Sequence, residues 1–270
     1  GIRDYKVTGV QTCALPILFY RFLLEKKIFF GLHTFNDEPW LWIYVLFILA
    51  IIALLVFLYF LKIPGNQSTS EKFDINVFSK FLNNRISYFY FFGIFSYVGV
   101  EQGINNWSSQ FLYQYHSLDP EVVGVDVISA FWGNLTIGTI ISLFLVKLID
   151  EKKLLSIYSL SSSIIAFLAI HGDSEISVLS FKLLGFSISG VWSVMISLGL
   201  NSIPKNHSVF TGILLTGIVG GAIFPFIVAG IGQLFNLKVG MHVILIGLVY
   251  LLYVSFTAKP LISNKTIKLI

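Results

Sequence analysis

From residue 40 to residue 61 the chain carries no charged side chain and no amide, only Trp, Leu, Ile, Tyr, Val, Phe and Ala. About 20 such residues in α-helical form cross the hydrocarbon core of a bilayer, and a soluble fold has little use for so long a run. More runs follow. Cutting the sequence wherever polar residues cluster gives further spans at 86–115, 122–149, 154–170, 176–203, 209–235 and 239–258. The expectation is an all-α membrane protein, a bundle of about seven transmembrane helices whose partner is the lipid bilayer.

Composition supports this reading. With 56% hydrophobic and 12% charged residues and a mean hydropathy of +0.82, the chain lies outside the soluble range. The formal charge of +4 does not point to nucleic acid, because the basic residues stand singly or in pairs at the ends of apolar runs. A single cysteine, Cys13, allows no internal disulfide.

The first residues are of another kind. The stretch VTGVQTCALPI at 7–17 resembles the conceptual translation of a sequencing adapter, and it lacks the apolar core of a signal peptide. Residues 1–17 are therefore set aside, and the native frame is expected to start near Leu18, which makes the chain a fragment. Arg21, Glu25, Lys26 and Lys27 interrupt the next segment, so 18–39 reads as the remnant of an external loop. The longest polar stretch, 62–85, has the Pro, Gly, Ser and Asn content of a linker and separates one span from six closely spaced ones. That layout suggests the last helix of one bundle at 40–61, a central linker, a six-helix bundle over 86–258 and a tail at 259–270.

Orientation follows from the Lys/Arg bias of short loops. One side receives Lys62, Lys72, Lys80, Arg85, Lys147, Lys152, Lys153, Lys205, Lys259, Lys265 and Lys268. The other has Lys238, plus Arg21, Lys26 and Lys27 if the first segment is counted. Linker and tail are thus expected in the cytoplasm, and a bacterial inner membrane is the expected home.

Glu101 is the most informative residue. It stands some 15 residues into its span, roughly 22 Å along the axis, where a carboxylate costs about 2.5 kcal/mol or more unless it has a partner or a wet cavity. Tyr97 and Asn105 lie one turn before and after it on the same face, and Ser108 follows. A structural alternative is a carboxylate held by an interhelical hydrogen bond for packing. Gln102, Asn106 and Trp107 cannot all share that face, but amides serve sugar hydroxyls and an indole serves the apolar face of a sugar ring. Trp107 reads equally as an interfacial anchor. Asn134, beside Trp132, is the next candidate for substrate contact. Asp126 reads as a solvated helix end, Lys182 as a snorkelling cation or a partner of Glu101, and Trp192 as packing or ligand. In the span 209–235, small residues at four-residue spacing (Gly212, Thr216 and Gly220; Gly217 and Gly221) allow close helix approach, and Pro225 is expected to kink the helix.

Enzyme signatures are missing. The five histidines form no HExxH pair, and there is no GxSxG elbow and no phosphate loop. Neither a cofactor nor a metal is expected.

The segments YVGVEQGINNW at 97–107, SLGLN at 197–201 and GILLTGIVGGAIFP at 212–225 resemble the major facilitator superfamily, within it the fucose/galactose/glucose symporter-like family. The loop KLIDEKKLL at 147–155 resembles a degenerate form of the superfamily's basic cytoplasmic motif. The resemblance implies helices six to twelve of a twelve-helix transporter, with a missing N-terminal bundle as partner and a sugar-like solute bound between the bundles with proton coupling. It places Glu101, Asn105, Asn106, Trp107, Asn134, Trp192 and Thr216 as candidate substrate contacts, with Glu101 also the candidate proton-coupling residue. The alternatives are an exporter of drugs or metabolites and a non-transporting membrane scaffold or receptor.

Overall fold

The computed structural model describes residues 41–61 and 75–261, all of its regular elements being helical. The adapter-like segment, the external loop remnant, most of the linker and nearly all of the tail lie outside the described residues. Two units separate at Lys72/Phe73. The described part of the first is α1, Leu41–Phe60, apolar on every side, with each described side chain from Tyr44 onward exposed. A helix of that kind seeks lipid all round.

The second unit begins with α2, Ile75–Leu82, inside the stretch read as a linker. Val77, Phe78 and Phe81 share one half-buried face, and the Phe81 ring lies 5.5 Å from that of Phe210. The turn residues around α2 masked this short amphipathic helix in the sequence. There follow α3 (Arg85–His116), a π-helical turn (Pro120–Gly124), α4 (Val125–Leu148), α5 (Glu151–His171), α6 (Ser174–Ile188), α7 (Val191–Asn201), α8 (His207–Thr216), a 3-10 turn (Gly217–Val219), α9 (Gly220–Leu234) and α10 (Leu237–Thr257). Local chemistry sets the ends. Asn84, Asp150, Asp173 and Asn236 accept hydrogen bonds from free backbone N–H groups at the starts of α3, α5, α6 and α10. Ser117, in the left-handed region at φ 54°, closes α3.

Five stretches of the described residues are long and apolar enough to cross a membrane: Pro120–Leu148, Glu151–His171, Ser174–Asn201, His207–Leu234 and Leu237–Thr257. At 32 residues, about 48 Å, α3 also has the length, but Glu101, Gln102, Asn105 and Asn106 dilute its apolar character. It is the hub of the unit and packs against α4, α6, α7, α8, α9 and α10.

Two of the expected single spans are broken. The first, at 176–203, divides into α6 and α7 at Ser189 and Gly190. The carbonyls freed there recover partners from side chains: Ser162 shares its proton between Tyr158 O at 2.5 Å and Ser187 O at 3.0 Å, Thr139 shares its own between Leu135 O at 2.8 Å and Ser189 O at 3.3 Å, and Ser189 donates to Phe186 O at 2.8 Å. Buried from water, a broken helix persists only if such donors are at hand. In the second, at 209–235, the α-helix gives way to the 3-10 turn at Gly217–Val219. Pro225 lies inside the continuous α9, so the α-helical pattern changes ahead of the proline.

Backbone contacts fix the helix spacing. A Cβ on Gly185 would collide with the Phe131 carbonyl of α4, and one on Gly220 with the backbone of Phe95 in α3. Gly217 and Gly221 also face α3, but Gly212 has nothing within 4 Å. Only part of the small-residue pattern is therefore interface. The buried polar residues are serines except for Glu151, the one fully buried charged residue among those described. A hydroxyl within a helix can donate to a carbonyl one turn back; a carboxylate has no proton to donate there. Glu151 accepts from Ser197 at 2.5 Å and from Asn201 at 3.3 Å, which ties the start of α5 to α7.

Alternating helix direction brings Arg85, Lys147, Lys152, Lys153, Lys205 and Lys259 to one end of the unit and Lys238 to the other. At the Lys238 end α5 meets α10 through His171 and His242, whose Nε2 atoms are 3.1 Å apart.

Candidate functional site

Midway along α3, about 24 Å from its start, the Glu101 carboxylate is half-buried. The Tyr97 hydroxyl donates to Oε2 at 2.7 Å, and the neighbouring Gln102 amide donates to Oε1 at 3.3 Å. The Tyr97 bond is the i, i+4 contact that helical periodicity predicts. Among the described residues Glu101 forms no ion pair. Lys182, a possible partner on sequence grounds, instead meets Asp126 of α4, with Nζ 2.6 Å from Oδ2.

Two neighbouring helices add aromatic surface to this polar strip. From α7, the Trp192 ring comes within 6.1 Å of Tyr97. From α4, the Trp132 indole N–H donates to Asn105 Oδ1 at 2.9 Å. Trp192, Trp132, Glu101, Gln102 and Asn105 are all half-buried, while Tyr97 is buried. The result is one wall along α3 in which Glu101 and Asn105 are joined by Tyr97 and two indoles. Each carboxylate oxygen can accept two hydrogen bonds, so capacity remains for further donors.

The other candidates are held elsewhere. Asn106 donates to the Gln102 carbonyl of its own helix at 2.7 Å, the back-bonded arrangement of a helical amide. Trp107 donates to Pro225 O at 3.1 Å, linking α3 to α9. Asn134 donates to Lys182 O at 3.0 Å and so joins α4 to α6. Thr216 is exposed and donates to Ile213 O in its own helix at 2.6 Å. Trp132 was visible in the sequence only as the neighbour of Asn134. Its link to Asn105 had no signal there, since it depends on how α4 sits against α3.

The architecture is an all-α membrane bundle of known fold. A solved structure of this fold, the E. coli fucose:proton symporter FucP, superposes with a TM-score of 0.68 at 14% identity, covering 83% of this chain and 55% of that one. In sequence the chain is similar to a glucose/galactose transporter of Brucella abortus biovar 1, 29% identical over 171 residues, 61% of this chain and 39% of that protein. A TsgA homolog of Buchnera aphidicola is 25% identical over 272 residues, 95% of this chain and 68% of that protein. No family model matches the chain. The match thus spans about two-fifths of the Brucella relative's length and just over half of FucP's. The Brucella relative and FucP bear the names of transporters.

Proposed function

We propose that this chain forms the second half of a sugar transporter of the bacterial inner membrane, with residues 86–258 as the C-terminal bundle and α1 as the last helix of the preceding one. In this reading the Lys-rich end faces the cytoplasm. The observation that carries it is the α3 wall: a half-buried carboxylate held by Tyr97 and flanked by Trp132 and Trp192. Hydroxyl-rich rings are bound by acceptors such as Glu101 and Asn105 at their edges and by aromatic faces against their C–H surfaces. The names of the Brucella relative and of FucP support a sugar as the solute.

Glu101 has two possible tasks. As a substrate contact it accepts a sugar hydroxyl; as a coupling residue it takes a proton in one state of the cycle and releases it in the other. Asn106, Trp107, Asn134 and Thr216 are proposed as outer contacts, reached when the bundles rock about the site. The test uses the gene restored to its full upstream sequence and assays uptake of labelled glucose, galactose and fucose in vesicles. Glu101→Gln with exchange retained and uphill uptake lost assigns coupling, and loss of both with loss of binding assigns substrate contact. Unchanged uptake removes Glu101 from the mechanism. The exporter alternative draws on the Buchnera relative, which aligns over nearly the whole chain and whose name specifies no sugar; efflux without competition by hexoses would favour it. Absence of any flux would leave the scaffold or receptor reading.

A further inference from the structure

At the Lys-rich end a cleft of about 370 Å³ opens between the start of α3, the end of α7 and the end of α10. We propose that it binds the anionic phosphodiester headgroup of a membrane phospholipid. Arg85 and Lys259 stand at this cleft, and Phe89, Tyr90 and Tyr253 line it. Both cations are exposed and, among the described residues, neither has an ion-pair or hydrogen-bond partner. Glu151, the buried carboxylate at this end, is held by Ser197 and Asn201 and forms no ion pair with either cation.

What distinguishes a lipid from a free anion is the surface beside the cleft. Tyr253 belongs to a row of exposed apolar residues on α10, with Ile246, Val249 and Phe256. Spacings of three and four residues place these on one stripe of the helix. An occupant with a phosphate at Arg85 and Lys259 and acyl chains along that stripe satisfies both halves of the surface. Inorganic phosphate satisfies only the first. Basic pockets between helices near a membrane surface attract acidic headgroups on the same electrostatic grounds. Two hydrogen bonds brace the walls: Tyr90 Oη and Ser202 Oγ are 2.7 Å apart, and Leu261 N donates to Asn201 O at 2.7 Å, tying down the chain just beyond Lys259.

The experiment places the purified chain in nanodiscs of phosphatidylcholine with increasing phosphatidylglycerol and follows thermal unfolding by intrinsic fluorescence. The expected result is an upward shift of the midpoint by roughly 4–8 °C, absent in R85Q/K259Q, retained in R85K/K259R, and retained in K147Q/K153Q, which removes two exposed cations at the same end but outside the cleft. Equal loss in R85Q/K259Q and K147Q/K153Q would assign the effect to diffuse surface charge and overturn the proposal. So would a wild-type midpoint that ignores phosphatidylglycerol, or one that rises equally with inorganic phosphate in neutral discs. None of these readouts depends on transport, so the headgroup site and the sugar reading stand or fall separately.

Discussion

Gly185→Ala and Gly212→Ala should change stability in opposite directions, although both replace a helical glycine by the best helix former. In each, alanine removes backbone freedom from the unfolded chain and stabilises by about 0.5–1 kcal/mol. At Gly212 nothing lies within 4 Å of the added methyl, so that gain stands alone. At Gly185 the methyl collides with the carbonyl oxygen of Phe131, a backbone atom that cannot rotate away. α4 must then move off α6, at a cost of about 1–3 kcal/mol for overpacking. The propensity term cancels between the two variants, and their difference isolates the clash: about 1–3 kcal/mol, or roughly 2–12 °C in unfolding midpoint for a chain of this size. Unfolding in mixed micelles, followed by tryptophan fluorescence, measures it. If Gly185→Ala matches Gly212→Ala in sign and size, α4 and α6 do not approach at Gly185, and the packing described here is wrong.

Three further outcomes follow from named contacts. Tyr97→Phe removes the hydroxyl that holds Glu101 Oε2 at 2.7 Å and, on the proposed sugar-transport reading, should weaken hexose competition about tenfold; unchanged competition would separate Tyr97 from the substrate. Ser162→Ala takes a donor from the Ser187 carbonyl beside the α6–α7 break and should destabilise by about 0.6–2 kcal/mol, measured by SDS titration, whereas Ser161→Ala, whose hydroxyl donates only to the carbonyl of Tyr158, should not. Lys182→Met breaks the pair with Asp126, whose side chains are 27% and 55% exposed; a loss of less than about 1 kcal/mol that shrinks further in high salt is expected, and a larger one would mean that Lys182 serves another acid.

The polar strip on α3 was legible because one helix carries it. Tyr97, Glu101 and Asn105 recur at four-residue spacing, and the 3.6-residue period alone places them on one face. The aromatic half of the same wall was not legible, for Trp132 and Trp192 arrive from α4 and α7 and no pattern within either helix marks their target. The same distinction explains Lys182, read from the sequence as snorkelling or pairing with Glu101 and found in space against Asp126. The α6–α7 break shows it again. The sequence read 176–203 as one span, and the break is held by Thr139 and Ser162 of other helices.

What the sequence determined by itself is the solvent and, through it, the secondary structure. Runs of apolar residues without charge must lie in lipid, and lipid admits a lone backbone segment only as a helix, since every N–H and C=O must find its partner within the segment. Caps such as Asn84, Asp150 and Asn236 then fix the ends locally. The tertiary structure decided which helix faces which. In a bilayer, apolar side chains are as well solvated by lipid as by one another, so hydrophobicity cannot choose among pairings. That choice falls to close backbone approaches at Gly185 and Gly220 and to single hydrogen bonds such as Trp132 to Asn105, contacts whose two halves lie far apart in the chain.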